Sequence, residues 1–421
     1  MGKEPWSAMN TSLSNEVRDL DFLGPELTQD PYPYVAELRE KDPVHWSEIH
    51  RAWLLTKYDD VVAAFADPRM SSDRVKPLLE AMDEERRQKA GNVLEVIQDW
   101  MVVTDPPAHT RLRKLVAQAF SPKRIAASEA RIRELVDELI DEFVDQGHTE
   151  FIANFSYPLP ATVIAQLIGA PAEDQDRFRI WSQALAMVAF GGGGEERGER
   201  HTVAMQALEE MIAYFGERID YATAHPGEDM ISGLLEGDGQ GNVLTRDEME
   251  GMCALMLFAG HETTMNLLNH MVLHVTRHPD QLQIIQDDPA DVGGAVEEIL
   301  RYDGPIKILH RWVIDDVELR DKTIKAGDRV FIVLAGANRD GDRFPHPDTL
   351  DITRSPNRHV GFGRGVHTCI GAQLSRIEGR VAFGRLLERL PGLSVPEQPL
   401  EYIPTLAGRA LKELHVEHDA S

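Results

Sequence analysis

The chain has 421 residues, 42% of them hydrophobic and 27% charged, enough to bury a large core in one large domain. Its formal charge of 44 − 70 = −26 repels nucleic acid and anionic lipid unless basic residues gather on one face. Two cysteines cannot build a disulfide framework, Met1 to Asn10 hold no apolar signal core, and the longest apolar runs, such as Met252 to Gly260, fall short of the ~18 residues of a membrane helix, so a cytoplasmic protein without membrane or nucleic-acid partners is expected.

The expected organisation is an N-terminal extension over 1–29, a single domain over 30–415 and a tail over 416–421. In chain order, residues 34–41 read as a short helix, 44–48 and 52–56 as strands, and 59–66 as a second helix. Pro107 opens a helix to about Phe120 that carries His109 and Arg113 one turn apart on one face. Ile132, Leu135, Val136, Leu139 and Ile140 recur at helical spacing within 125–146. Further helices are expected over 161–168, 173–190, 195–224 and 232–235. The four glycines at 191–194 form either a solvent loop or the hinge of a lid over a buried pocket, since glycine permits wide backbone change.

Thr245-Arg246-Asp247-Glu248 is a capping box before an apolar run that His278-Pro279 closes, giving a helix of ~32 residues, about 48 Å long. Near its middle stand Ala259-Gly260-His261-Glu262-Thr263-Thr264, polar groups inside an otherwise buried run. One reading has Thr263 bonded back to the carbonyl of Ala259, bending the helix. The other has Gly260 leaving room for a cofactor, while the Thr263 hydroxyl and Glu262 carboxylate supply protons to a reacting oxygen.

Glu298-Ile299-Leu300-Arg301 sets opposite charges at i and i+3 on one helix face, where a solvated pair would contribute little. Strands return after Pro305. Lys307 interrupts the apolar strand Ile306-Lys307-Ile308-Leu309, and solvent exposure is its expected fate; an inward Lys307 would need an anionic or strongly polar partner, such as a substrate carboxylate or phenolate. Shorter strand segments follow at Val313, Val317 to Leu319, Thr323 to Ile324 and Val330 to Val333. Phe362-Gly363-Arg364-Gly365-Val366-His367-Thr368-Cys369-Ile370-Gly371 then places Cys369 among glycines at the mouth of a helix, whose N-terminal amides and dipole favour a thiolate able to ligate iron. Zinc on His359, His367 and Cys369 is the rival use, but zinc takes four ligands, or three and a water, and Cys253 lies far off in the chain.

These stretches resemble the cytochrome P-450 family over residues 30 to 415. Phe362, Gly365, Cys369 and Gly371 meet its Phe-x-x-Gly-x-x-x-Cys-x-Gly loop, Ala259 to Thr263 its Ala/Gly-Gly-x-Asp/Glu-Thr motif, Glu298 and Arg301 its Glu-x-x-Arg element, and His109 and Arg113 its His-x-x-x-Arg pattern. The resemblance implies a mainly α fold with a small β portion, a triangular helical prism with embedded haem b. It implies Cys369 as axial ligand; His109, Arg113, Arg311 and His367 on the propionates; Phe362, Gly365, Gly371, Ala259 and Gly260 against the cofactor; Glu262 and Thr263 as proton donors; and Glu298 and Arg301 in a structural lock with Arg354. The helix pair flanking 191–194 would cover the substrate pocket.

The same resemblance implies a monooxygenase that inserts one atom of dioxygen into a hydrophobic small molecule. Hydroxylation leads, with epoxidation, O-demethylation and ring coupling open to the same chemistry; a haem-binding sensor would have no need of Glu262 and Thr263. By family position the pocket is expected to be lined by Leu255, Phe258, Ala259, Thr263, Ile306, Lys307, Ile308 and Leu309, with Val96, Trp100, Met101 or Val102. Electrons are expected from a separate ferredoxin and ferredoxin reductase drawing on NAD(P)H. The ferredoxin would dock on a basic patch of Arg111, Lys114, Arg358, Arg364, Arg376 and Arg380.

Overall fold

The frame is set by apolar stripes that have to be covered. Ile132, Leu135, Val136 and Ile140 are buried along one face of helix Pro122–Asp141, which Ser121 caps by accepting from the Arg124 amide, and this helix lies against helix Ala372–Arg389. Helix Arg246–Thr276, 31 residues long, is buried on most sides and runs between helices Pro158–Ile168, Arg197–Ala224, Val292–Tyr302 and Ala372–Arg389. Its capping box is formed: the Thr245 amide donates to Glu248 Oε2 at 2.8 Å and the Glu248 amide to Thr245 Oγ1 at 3.2 Å. The structure is a computed structural model that describes residues 17–80, 82–83, 94, 97–189, 191 and 197–420, so Val96 and the glycines at 192–194 lie outside the described residues.

One five-stranded sheet flanks the helices. It contains β1 (Val44–Ser47), β2 (Ala52–Leu55), β3 (Met70–Ser71), β5 (Ile308–Val313) and β8 (Arg329–Val333), in the order β1-β2-β8-β5-β3. The β2–β8 pair is parallel, with Leu54 opposite Phe331, and the other pairs are antiparallel. Two ribbons complete the β portion: β4 (His148–Glu150) with β9 (His415–Glu417), and β6 (Val317–Leu319) with β7 (Lys322–Ile324). Among the described residues no helix is long and apolar enough to cross a membrane.

Two expectations, the end of one helix and the bounds of the domain, are corrected here, and one segment not foreseen takes a regular form. The expected helix over 125–146 stops at Asp141, and a 3₁₀ turn Val144–Gln146 follows, ended by left-handed Gly147 at φ 72°. The segment Ile152–Ser156 winds as a π-helix before Pro158 opens the next helix. The proposed extension and tail are drawn too wide: Phe22 and Leu27 are buried in the core beneath the sheet, while β9 pairs with β4 and the His418 amide donates to Gly147 O at 2.9 Å.

Glu298 and Arg301 are not a solvated pair but a fully buried one. Arg301 Nη2 and Nε reach the two Glu298 oxygens at 2.7 and 2.8 Å, and Arg354 Nε joins at 3.2 Å. Glu298 also accepts from the Asp351 amide at 3.0 Å and Asn357 Nδ2 at 3.1 Å, while Arg301 Nη1 donates to the Asn338 and Pro347 carbonyls. An irregular segment that cannot satisfy its own backbone is thereby hung on one charge pair. Asn338 Oδ1 accepts from the Val360 amide at 2.8 Å, which carries the support to the entrance of the cysteine loop.

Candidate active site

The cysteine loop folds back tightly because glycines permit it. Gly363 and Gly365 have φ of +68° and +71°, and a Cβ on Gly365 would lie 2.8 Å from the Phe65 carbonyl oxygen. The Cys369 amide donates to Phe362 O at 2.9 Å, and Gly371 stands at the N-terminus of helix Ala372–Arg389. Burial raises the Cys369 thiol, against which the Gly371 and Ala372 amides, Arg113 and Arg376 lower it, so the sulfur faces donors and positive charge. His359 is taken by Glu297 Oε2 at 3.0 Å, and among the described residues no group of three His, Cys, Asp or Glu side chains is placed to hold a metal ion.

Beside this loop lies a cluster of buried and half-buried cationic and imidazole groups. Arg113 Nη2 donates to the Thr368 carbonyl at 2.6 Å, and the His109 and His367 rings stand 4.1 Å apart. Both His109 nitrogens and His367 Nε2 are buried without a partner. Arg311 on β5 is buried and among the described residues donates only to the neighbouring His310 carbonyl, at 2.9 Å. Burial first, then Arg74, pulls Arg311 down to about 10, and burial holds Arg74 at about 10. Burial likewise presses His367 down to about 3. The nearby carboxylate, Asp105, is bound by the Ser71 hydroxyl and by the Ser72 amide at 2.9 Å.

The middle of the long helix supplies a second set. Thr263 Oγ1 donates to Ala259 O at 3.4 Å, a long bond, so the back-bonding expected of a bent helix is present but weak. Burial raises the Glu262 carboxyl to about 7, and Asn266 Nδ2 donates to the Glu262 carbonyl at 2.9 Å. Glu262 and Thr263 line a cavity of about 200 Å³, with Ile306, Ile403 and Ala410 among its apolar walls.

A family model, Cytochrome P-450, matches residues 177–413. The chain is 38% identical to the cytochrome P-450 monooxygenase PikC of Streptomyces venezuelae over 418 residues, 96% of this chain and 95% of that one. It is 38% identical to the Vitamin D(3) 25-hydroxylase of Pseudonocardia autotrophica over 389 residues, covering 91% and 92%. The solved structure of the polyketide synthase cytochrome P-450 PksS of Bacillus subtilis matches with a TM-score of 0.86 at 34% identity, covering 95% of this chain and all of that one. The chain belongs to the cytochrome P-450 family. It has the P-450 fold and is an oxidoreductase of a haem-iron enzyme family.

The residues of this P-450 fit a haem. One buried and two half-buried arginines, Arg311, Arg74 and Arg113, with no carboxylate bonded to them among the described residues, and three orphaned imidazole nitrogens are what two propionates would satisfy, and a thiol at a helix N-terminus is what iron would deprotonate. Arg74, the third arginine, was not anticipated, because Ser72-Asp73-Arg74-Val75 belongs to no motif and joins the cluster only through the fold.

Several pocket expectations are corrected. A Cβ on Gly260 would fall 2.6 Å from Ile164 Cγ1, so the missing side chain admits helix Pro158–Ile168. Leu255 and Phe258 are buried in the helical core, Phe258 stacked on Trp100 at 6.5 Å, and Val102 is turned outward. Ile306 lines the cavity, but Lys307 and Ile308 do not: Ile308 packs beneath the sheet with Phe22 and Leu38, and Lys307 is buried near Asp303 and Arg409. Lys307 is therefore neither exposed nor aimed at the cavity. Burial, then Arg409, lowers its ammonium to about 7. Gln183, Ala186, Ile403, Thr405, Gly408 and Ala410 complete the walls and escaped the sequence because they come from the lid-side helix and a C-terminal turn.

The basic patch is largely neutralised. Arg111 pairs with Glu248, Lys114 with Asp238 at 2.9 Å, Arg376 with Glu297 at 2.6 Å and Arg380 with Glu129 at 2.9 Å, while Arg364 donates to the Tyr58 hydroxyl at 3.1 Å. Of the 191–194 tract, Gly191 is described, and its carbonyl accepts from the Leu406 amide at 3.3 Å.

Proposed function

We propose that this P-450 hydroxylates a hydrophobic small molecule, inserting one atom of dioxygen with electrons delivered from NAD(P)H through a ferredoxin reductase and a ferredoxin in the cytoplasm. The observation that carries this reading is the adjacency of a protonatable carboxyl, Glu262, and a weakly bonded hydroxyl, Thr263, on the wall of an apolar cavity. The 25-hydroxylase named among the relatives supports hydroxylation over the other oxidations.

Cys369 would hold the iron of haem b, and Arg74, Arg113, Arg311, His109 and His367 its propionates; Phe362, with Arg376 stacked on its ring at 4.6 Å, and Gly371 would frame the ligand loop. When bound, the haem supplies the dioxygen and one-electron chemistry. The chain's own part is proton handling and water exclusion. Glu262, raised to about 7, carries a proton near neutral pH and can pass it on, and Thr263 needs to give up only a 3.4 Å bond to reorient its hydroxyl. Apolar walls keep bulk water from competing with the substrate.

The test combines spectrum and product. Wild-type protein is expected to show the thiolate-type Soret band of the reduced carbon monoxide complex and, with ferredoxin, reductase and NAD(P)H, to yield products one oxygen heavier than substrate. Cys369→Ala is expected to lose the band. An unchanged spectrum in that variant would sink the assignment.

A further inference from the structure

We infer that the cavity selects a neutral substrate, an apolar molecule with one uncharged hydrogen-bonding group, a ketone or hydroxyl, held by the side-chain amide of Gln183. This rests on the monooxygenase reading of the same site. Among the described residues no Lys, Arg or His lines the cavity, and its one ionisable group is the carboxyl of Glu262. A carboxylate brought into these walls would lose its hydration, gain no counter-ion and meet a second acid.

The strand that passes the cavity shows how the cation is withheld. Ile306 faces in, and its neighbour Lys307 goes to the other side of the wall, near Asp303 and Arg409. The wall is fastened there by its backbone, with Lys307 N donating to Ala407 O at 2.8 Å and Arg409 N to Pro305 O at 2.8 Å. Lys307 thus cannot reach in without breaking the wall.

Of the neutral polar groups on the walls, most are already engaged. Thr405 Oγ1 donates to Gly408 O at 3.1 Å, Asn266 Nδ2 to Glu262 O at 2.9 Å and Thr263 Oγ1 to Ala259 O at 3.4 Å. Gln183, on helix Gln175–Ala189, lines the cavity and makes no side-chain hydrogen bond to any described residue. Its amide offers two donors and an acceptor, so it suits a carbonyl or a hydroxyl equally.

The experiment uses the haem-loaded full chain and three probes with one skeleton: androstan-17-one, androstane-17-carboxylic acid and androstane. Binding is read by calorimetry and by the spin-state shift of the haem band. The ketone is expected to bind at least about tenfold more tightly than the carboxylate. Gln183→Leu should weaken the ketone about three- to tenfold and leave androstane unchanged, the loss of one neutral hydrogen bond. Gln183→Lys should raise carboxylate affinity above that of the wild type. Equal wild-type affinity for ketone and carboxylate, or an equal loss of ketone and androstane in Gln183→Leu, would overturn the inference. Failure of the monooxygenase reading shows separately, as absence of the thiolate-type Soret band in the reduced carbon monoxide complex of the same preparation, and takes the inference with it.

Discussion

Two clusters of buried charge stand on either side of the cysteine loop, and they are built on opposite terms. Around Glu298 a carboxylate with no exposed surface meets Arg301 and Arg354, and both remaining partners, the Asp351 amide and Asn357, are also supplied by the chain. Around Arg311 the arginines face one another and two neutral imidazoles, Arg113 and Arg311 donate to carbonyls, and the nearby Asp105 carboxylate is held by Ser71 and Ser72. Burying like charges together is unfavourable for a chain folding by itself. The first cluster is architecture that closes on itself; the second makes sense as a receptor for an anion. Glu262 is an intermediate case, a half-buried acid that meets no cation among the described residues and whose carboxyl is raised to about 7.

Removing Glu298 gives the largest contrast. Glu298→Ala leaves Arg301 buried without its carboxylate and is expected to cost about 3–5 kcal/mol, read as a lowered denaturant midpoint with unchanged slope. A loss under about 1 kcal/mol would mean that the arginine finds another partner or water. Arg311→Leu should do the reverse in the haem-free chain, leaving stability unchanged or raising it by about 1 kcal/mol, because an uncompensated buried cation is removed. In the loaded protein the same variant should release haem faster to an apoprotein acceptor; slower release would break the distinction between the clusters.

The smallest effect is a pH slope. The Glu262 carboxyl is raised from 4.5 to about 7, so the folded state holds a proton that the unfolded state has lost across that interval. Its contribution is full below about 4.5 and declines as pH rises towards about 7. Glu262→Gln should flatten that part of the stability profile, measured by urea unfolding at several pH values. A slope identical to wild type would show that the group is solvated in the folded chain.

What the sequence disclosed was whatever is encoded over a few consecutive residues. The Thr245 capping box, the glycines of the cysteine loop and the pair Glu298 and Arg301 each announce themselves within four to ten positions, and each occupies the expected element. Burial of the Glu298 pair did not follow from its spacing, since i,i+3 pairs are just as frequent in solvent. The walls of the cavity were misread for a related reason. Along Ile306, Lys307 and Ile308 the alternation of a strand was visible, but which parity faces the cavity depends on how Pro305 and Ala407 dock. Gly260 meets Ile164, from a helix almost a hundred residues earlier that no local pattern could bring alongside. Strands of three residues, such as β4 and β9, are too short for their alternation to be legible.

The long helix behaves as an indexed shaft. Its N-terminus is pinned by the Thr245 and Glu248 box, and beyond Thr263 the rings of His270 and His274 are bonded to Asp303, at 2.6 Å through its carbonyl and 2.8 Å through its carboxylate. From Thr245 to Thr263 is 18 residues, about five whole turns at 3.6 residues each. A single residue inserted between cap and site would advance everything beyond it by about 1.5 Å and rotate it by about 100°. Either Thr263 and Glu262 would swing off the cavity wall, or the histidines would leave Asp303. Tolerance to length change in this helix is therefore confined to the segments outside the two fastenings, however freely its buried side chains accept substitution.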